Sequence, residues 1–293
     1  MWKKIFRKTP PHAIVVLRWK YKIHRLKHKI IEYLRNTPEF EESEKQEIIN
    51  YLVKNPISGF PYDFPKKYKA NDVVVYTDTD NGLRYVIHEN KRLYFKRNWD
   101  VKKIQIYHNG LIIEQDIDSP HRYETLDFCV NEGDVVADVG AAEGNFALSV
   151  VEKVEKMYLF EVDEEWIEAL NATFAPWKEK VEIISKYVSE KEEGNCISLD
   201  TFFSGKKINL IKADVEGAEI ALLRGSHNIM LNTEKLKMII CTYHKQDDAE
   251  NIDRLLTDYK FKTEFSKGYI IFFWGEEPLA PPYLRRGLIR AIK

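Results

Sequence analysis

Asp138, Glu161, Asp214 and His244 each stand at or just past the end of a short apolar run. An open sheet delivers side chains to its ligand crevice from such positions. Asp138 lies within Val135-Val136-Ala137-Asp138-Val139, followed at once by Gly140-Ala141-Ala142-Glu143-Gly144. Gly140 and Gly144 suit a tight turn and a close backbone approach. A strand, a glycine turn and a helix together aim free N–H groups at a ligand. The bland alternative is a plain β–α turn.

The pattern is not G-x-G-x-x-G, because Ala142 replaces the glycine that would admit a pyrophosphate. A ligand without pyrophosphate is therefore expected, and S-adenosylmethionine fits. Its ammonium needs an acceptor and its carboxylate a donor. The same missing glycine argues against a nicotinamide-dependent oxidoreductase. Glu161 comes 23 residues after Asp138. A carboxylate there can accept two ribose hydroxyls at once, or simply favour the helix that starts near Asp163. Asp214 opens Asp214-Val215-Glu216-Gly217-Ala218-Glu219. It is expected to face the reacting end of the cofactor, while Glu216 and Glu219 also suit a helix start. His244 could be a general base, a loop residue, or, with Asp214 or Asp247, a ligand to a divalent cation. Asp247 or Asp248 would cap the helix that follows.

The elements that must position these residues alternate. Val135–Val139, Met157–Glu161, Val181–Ile184, Ile208–Asp214 and Lys237–Tyr243 read as buried strands. Helices are expected over Glu164–Phe174, Ala218–Leu231 and Ala249–Tyr259. This predicts a doubly wound parallel sheet. Lys262–Phe265 and Tyr269–Trp274, joined by Ser266-Lys267-Gly268, predict a terminal antiparallel hairpin. Upstream, helices are expected over 13–35 and 39–54 and a loop over 57–70. A hairpin follows, with arms 73–76 and 83–87, then a strand over 92–95. Tyr123–Val130 reads as a helix leading into the first strand of the sheet. The expected divisions are a basic helical region (1–70), a β-rich segment (71–118), the catalytic domain (119–275) and a basic tail (276–293).

A chain of 293 residues with 44% hydrophobic side chains can bury a sizeable core. It has no run of 18 apolar residues, so no membrane span is expected. Cys129, Cys196 and Cys241 are scattered, which implies free thiols, a cytoplasmic location and no zinc knuckle. The net charge of −1 hides an asymmetry. Residues 1–35 carry eleven Lys or Arg and one acid, leaving 34 basic and 45 acidic side chains elsewhere, a net of −11. Such an arm suits an anionic partner. Peripheral contact with an anionic membrane at its inner face is one reading, and a basic helix packed on its own domain is the other. No motif accompanies it that would read nucleic acid.

Asp138-Val139-Gly140-Ala141-Ala142-Glu143-Gly144, Phe160-Glu161, Ile197-Ser198-Leu199-Asp200 and Ile211-Lys212-Ala213-Asp214-Val215-Glu216-Gly217-Ala218-Glu219, with Leu223 and Gly225, resemble the FkbM family of S-adenosylmethionine-dependent methyltransferases. The likeness runs over residues 120 to 275. It implies a class I methyltransferase (Rossmann-like) α/β fold and O-methylation of a hydroxyl, often on a sugar or glycan. It also implies that Asp138, Gly140, Ala141, Glu143 and Gly144 hold the methionine part. Glu161, with Val162 beside it, would hold the ribose, and Asp214 would lie near the methyl group, with Asp214 and His244 catalytic. Ala142 and Val162 stand where members typically carry Asn and Pro. Thr242-Tyr243-His244 stands where many carry Glu-x-His, so no metal is expected. The rival reading is a non-catalytic scaffold that keeps the fold, with the basic arm as its working part.

Overall fold

The computed structural model describes residues 12–38, 40–273 and 279–293, and for 12–22 the backbone alone. The chain divides into two units, residues 1–63 with 271–284 and residues 64–270 with 285–293. The first holds α1 (His12–Asn36) and α2 (Glu42–Lys54). Ile30, Ile31 and Leu34 of α1 and Ile48, Ile49 and Leu52 of α2 are buried, each set at helical spacing. His24, Arg25, His28, Lys29 and Arg35 of α1 are exposed.

The second unit opens with a three-stranded antiparallel sheet, β1 (Tyr76–Thr77), β2 (Arg84–His88) and β3 (Lys91–Tyr94). The expected hairpin is present, but its first arm is only two residues long. Helix α3 (Val101–Glu114) follows, and the sequence reading missed it. Asp100 caps it by accepting from the Lys103 amide. Ile104, His108 and Leu111 form its buried stripe, although Asn109-Gly110 in its middle reads as a turn. The helix expected over Tyr123–Val130 does not form. Side chains take its amides instead: Gln115 that of Tyr123, Thr125 that of Phe128 and Glu124 that of Val130. Such bonds compete directly with helical ones.

Then come β4 (Val135–Val139), α4 (Asn145–Val150), β5 (Lys156–Phe160), α5 (Glu164–Phe174) and β6 (Val181–Ile184). A short parallel pair, β7 (Tyr187–Val188) with β8 (Cys196–Ile197), precedes α6 (Leu199–Phe202) and β9 (Leu210–Ala213). The chain continues through α7 (Glu219–Arg224), α8 (His227–Asn232), β10 (Lys237–Cys241), α9 (Asp248–Asp258), β11 (Lys262–Phe265) and β12 (Leu288–Ile292). The single helix expected over 218–231 is thus two.

Seven strands pair in the order β11-β12-β10-β9-β4-β5-β6. All neighbours are parallel except β12, which runs antiparallel to both β10 and β11. This is the expected doubly wound, Rossmann-like α/β sheet with an antiparallel pair at one end. The partner of β11 is not 269–274, however. There, Ile270 makes an isolated bridge with Arg285, and Trp274 lies outside the described residues. The second arm is β12, within the stretch expected to be a basic tail, of which 276–278 also lie outside the described residues.

Alternate residues of the strands feed two cores. Val136, Leu159, Leu210 and Ile239 pack under α4 and α5, with Val86 and Leu93 of the small sheet and Leu83 just before β2. Ala137, Tyr158, Ile211 and Ile240 pack on the other face with residues of α7, α8 and α9. Every residue of β4 is buried, as a strand covered on both faces requires. Order reverses between β4 and β9, so their carboxyl ends border the crevice where ligands bind in such sheets.

Candidate active site

The β4 turn is built almost wholly of backbone. Gly140 has a φ of 73°, and a Cβ on it would stand 2.0 Å from the Asp214 carbonyl oxygen. Gly144 has a φ of 82°, and a Cβ there would meet Leu170 and Phe174 of α5 at 2.8 Å. The glycines therefore serve close packing, of the turn on the β9 end and of α5 on the turn. The amides of Gly140 and Ala141 both donate to the Phe160 carbonyl, at 3.0 and 3.2 Å, and that of Gly144 to Ala141 at 2.7 Å. These donors are used inside the protein, which corrects the expectation that the turn offers them to a ligand.

Glu161 ties the turn to the end of β5. Its Oε2 accepts from the Ala142 amide at 2.9 Å, and its Oε1 from Val162 at 2.7 Å and Asp163 at 2.8 Å. A carboxylate offers about four acceptor positions, so one remains on Oε2. Glu143, 3% exposed, turns into the protein, where the Tyr107 hydroxyl donates to it at 2.7 Å. Burial raises its pKa to about 7 against the pull of that bond. Glu114, at the end of α3, is pushed up by burial as well.

Asp138 and Lys212 are register partners on β4 and β9 and share a face of the sheet. Lys212 Nζ lies 2.9 Å from Asp138 Oδ1 and donates to the Gly140 carbonyl at 3.0 Å. Asp138 Oδ2 is buried with no hydrogen-bond partner. Burial raises the Asp138 pKa, with Lys212 opposing it.

The other half of the crevice is a cluster of side chains around Asp214. Tyr123 donates to its Oδ2 at 3.3 Å and Tyr243 to its Oδ1 at 3.4 Å. His121 Nε2 lies 3.6 Å from Oδ2, and His244 Nε2 lies 3.4 Å from Oδ1. Burial alone would raise the Asp214 pKa, but His121, Lys212 and His244 hold it well below the usual carboxylate range. His244 is lowered by burial and raised by Glu219, Asp214 and Glu216, which prevail. Burial drives the Tyr123 and Tyr243 hydroxyls well above their ordinary value, so both remain donors.

The structure thus joins Asp214 to His244 and joins Glu161 to the turn of Asp138, Gly140, Ala141, Glu143 and Gly144. Asp247 stays apart, bonded to Asn251 of its own helix. The sequence reading missed Glu114, His121, Tyr123 and Lys212 as parts of the crevice. Only Lys212 carried a signal, as a lone charge inside an apolar strand.

The acids and histidine that close this half lie within one continuous stretch. Residues 169–263 match the Methyltransferase FkbM domain. The FkbM match runs from α5 into β11 and contains Asp214, Glu216, Glu219 and His244, while the glycine turn precedes it. The FkbM resemblance read from the motifs holds over this stretch. No curated protein matches the chain. Among solved structures, methyltransferase FkbM from Methylobacillus flagellatus KT is 13% identical with a TM-score of 0.47, over 66% of this chain and 53% of that one. This chain therefore spans about half of the Methylobacillus protein's length. An rRNA methylase from Streptococcus thermophilus is 16% identical with a TM-score of 0.38, over 56% of this chain and 89% of that one. M. capricolum TrmK, in complex with S-adenosyl-homocysteine, is 14% identical with a TM-score of 0.38, over 56% and 64%.

Proposed function

We propose that this chain is an S-adenosylmethionine-dependent O-methyltransferase acting on a hydroxyl, in a sugar or glycan. The observation that carries the reading is the FkbM match laid over the Asp214–His244 end of the doubly wound sheet. The preference for a sugar rests on the family resemblance.

The residues fit the cofactor. Asp138 and Lys212, side by side, offer an acceptor and a donor for the charged amino and carboxylate groups of its methionine part. Glu161 keeps an acceptor position for ribose, beside Val162. Gly140, Ala141, Glu143 and Gly144 shape the wall between them. When bound, S-adenosylmethionine supplies the methyl group and leaves as the neutral thioether. The protein aligns the acceptor oxygen with that methyl group, which removes most of the entropic barrier. Asp214 and His244 flank the oxygen and draw off its proton as the new O–C bond forms. Tyr123 and Tyr243 hold Asp214 in place from two sides.

Calorimetric titration with S-adenosylmethionine and, separately, NAD tests the cofactor. Micromolar binding of the first is expected, weakened at least tenfold in Glu161→Ala. Binding of neither would return the chain to the scaffold reading.

The location we propose is the cytoplasm, with residues 1–35 resting on an anionic membrane near a lipid-linked glycan. No described helix is long and apolar enough to cross a membrane. The exposed Arg25, Lys29 and Arg35 of α1 supply a charged face for the headgroups. Cosedimentation with phosphatidylserine vesicles should be lost on deleting residues 1–35; retention would end this part of the reading.

A further inference from the structure

We propose that His244, Asp214 and Glu216 hold a divalent cation at the mouth of the crevice. The motif reading expected no metal, since the acid of Glu-x-His is missing. The fold supplies acids from another strand end instead.

Glu219 is fully buried. Its Oε1 faces His244 Nδ1 at 2.8 Å and accepts from the amides of Val215 at 3.1 Å and Gly217 at 3.4 Å. The carboxylate is thereby fixed, and so is the ring. A carboxylate behind one ring nitrogen places the proton there and turns the other nitrogen outward as a ligand, the arrangement common to metal-bound histidines. Here Nε2 faces Asp214 Oδ1 at 3.4 Å and Glu216 Oε2 at 3.6 Å. Two donors each about 2.1 Å from one ion and roughly at right angles to each other stand ~3 Å apart. The observed spacing is close to that and long for a direct N–H···O bond.

Charge points the same way. Three carboxylates, Asp214, Glu216 and Glu219, surround one imidazole, with Lys212 offsetting part of the charge of Asp214 alone. Glu219 Oε2 is enclosed with no hydrogen-bond partner. Ligand atoms of Asp214, Glu219 and His244 all lie within 4.8 Å of one another, with Glu219 on the Nδ1 side of the ring, while Glu216 reaches Nε2 from the surface. Lys245 is turned to the Gly217 carbonyl rather than to the acids. One imidazole nitrogen with carboxylate oxygens suits Mn²⁺, Mg²⁺ or Zn²⁺. Glu216 is mostly exposed and free to close on the ion, leaving coordination positions for water and substrate.

The ion's role rests on the proposed function, though its binding does not. A hydroxyl bound to it loses its proton to water more readily, because the cation stabilises the alkoxide. The alkoxide oxygen then forms the bond to the methyl carbon as the carbon–sulfur bond breaks, its electron pair staying on sulfur. With the ion bound, Asp214 and His244 would serve as its ligands, and water rather than either side chain would take the proton.

The test uses the full chain, stripped with EDTA and titrated with Mn²⁺ while the spin-resonance signal of the free ion is followed. One equivalent should bind. Affinity should fall at least tenfold in Asp214→Asn and His244→Ala, about tenfold in Glu219→Gln and several-fold in Glu216→Gln. The exposed Glu216 gives a variant that keeps the fold. Failure of the wild type to bind Mn²⁺ at millimolar concentration would overturn the proposal, as would wild-type affinity in both Asp214→Asn and Glu216→Gln. S-adenosylmethionine binding, titrated in parallel, separates the two readings. Cofactor binding without Mn²⁺ binding would remove the ion and leave the methyltransferase.

Discussion

The two halves of the crevice are made of different material. On the β4–β5 side the groups in contact are mostly backbone: the turn amides bond the Phe160 carbonyl, and Glu161 gathers three more. On the β9–β10 side they are side chains, with Asp214 met by Tyr123, Tyr243, His121 and His244. A backbone-built wall has a fixed shape and changes little with sequence. A side-chain cluster has a charge balance that single substitutions upset. On the proposed function, the first would suit a cofactor that is always the same, the second a reaction and an acceptor that must be selected.

The largest expected effect comes from joining the halves badly. Gly140→Ala would push a methyl group into the Asp214 carbonyl at a left-handed backbone position. A loss of about 4 kcal/mol or more is expected from clash and strain together. The thermal midpoint should fall by several degrees or the chain should fail to fold, and a midpoint within two degrees of wild type would show that the halves are not locked here. Next, Asp214→Asn should lower turnover about 10²- to 10³-fold, in the range of lost proton-transfer catalysis, and leave cofactor affinity within about threefold. Equal losses in both would mean that the division between wall and cluster is wrong.

Glu143 sharpens the comparison, because it belongs to the backbone-built turn by sequence yet is held by a side chain, the Tyr107 hydroxyl. Its folded pKa is raised from 4.5 to about 7. Between those values the native state holds a proton that the unfolded chain has lost, so stability falls as pH rises through this window. Glu143→Gln removes the penalty. It should be more stable than wild type above pH 7, by up to roughly 3 kcal/mol, with the difference gone near pH 4. Melting curves at pH 4.5 and 8 would show it. A constant difference at both would place the effect outside ionisation.

The backbone half was legible in advance. β4 has the bounds its β-branched run suggests, and the glycine spacing marks the turn. Glu161 was legible by position, though its three amide partners were not. The side-chain half was only partly so. Tyr123 opens a segment whose helix-like pattern is overridden by side-chain bonds to its amides, and His121 lies just before it. Lys212 and Asp138 interrupt apolar runs at register-paired positions, a signal visible only once the strands are known to be neighbours. β12 was hidden by Arg290, a charge in the middle of a strand. It is buried because it donates to the carbonyls of Tyr123 and Arg122, at 3.0 and 2.5 Å. No periodicity argument anticipates a cation satisfied that way.

The placement of β12 sets a timetable for synthesis. β10 and β11 do not touch as neighbours in the sheet; residues 288–292 separate them and bond to both. While the ribosome has made the chain only as far as β11, β10 carries a bare, apolar edge, the kind that invites pairing with another chain. Arg290 arrives with the same strand, so the loop bearing His121 and Tyr123 gains its anchor at that moment. The nascent chain can build the glycine turn and its backbone wall early, but the loop that brings Tyr123 to Asp214 is anchored only when β12 slides in.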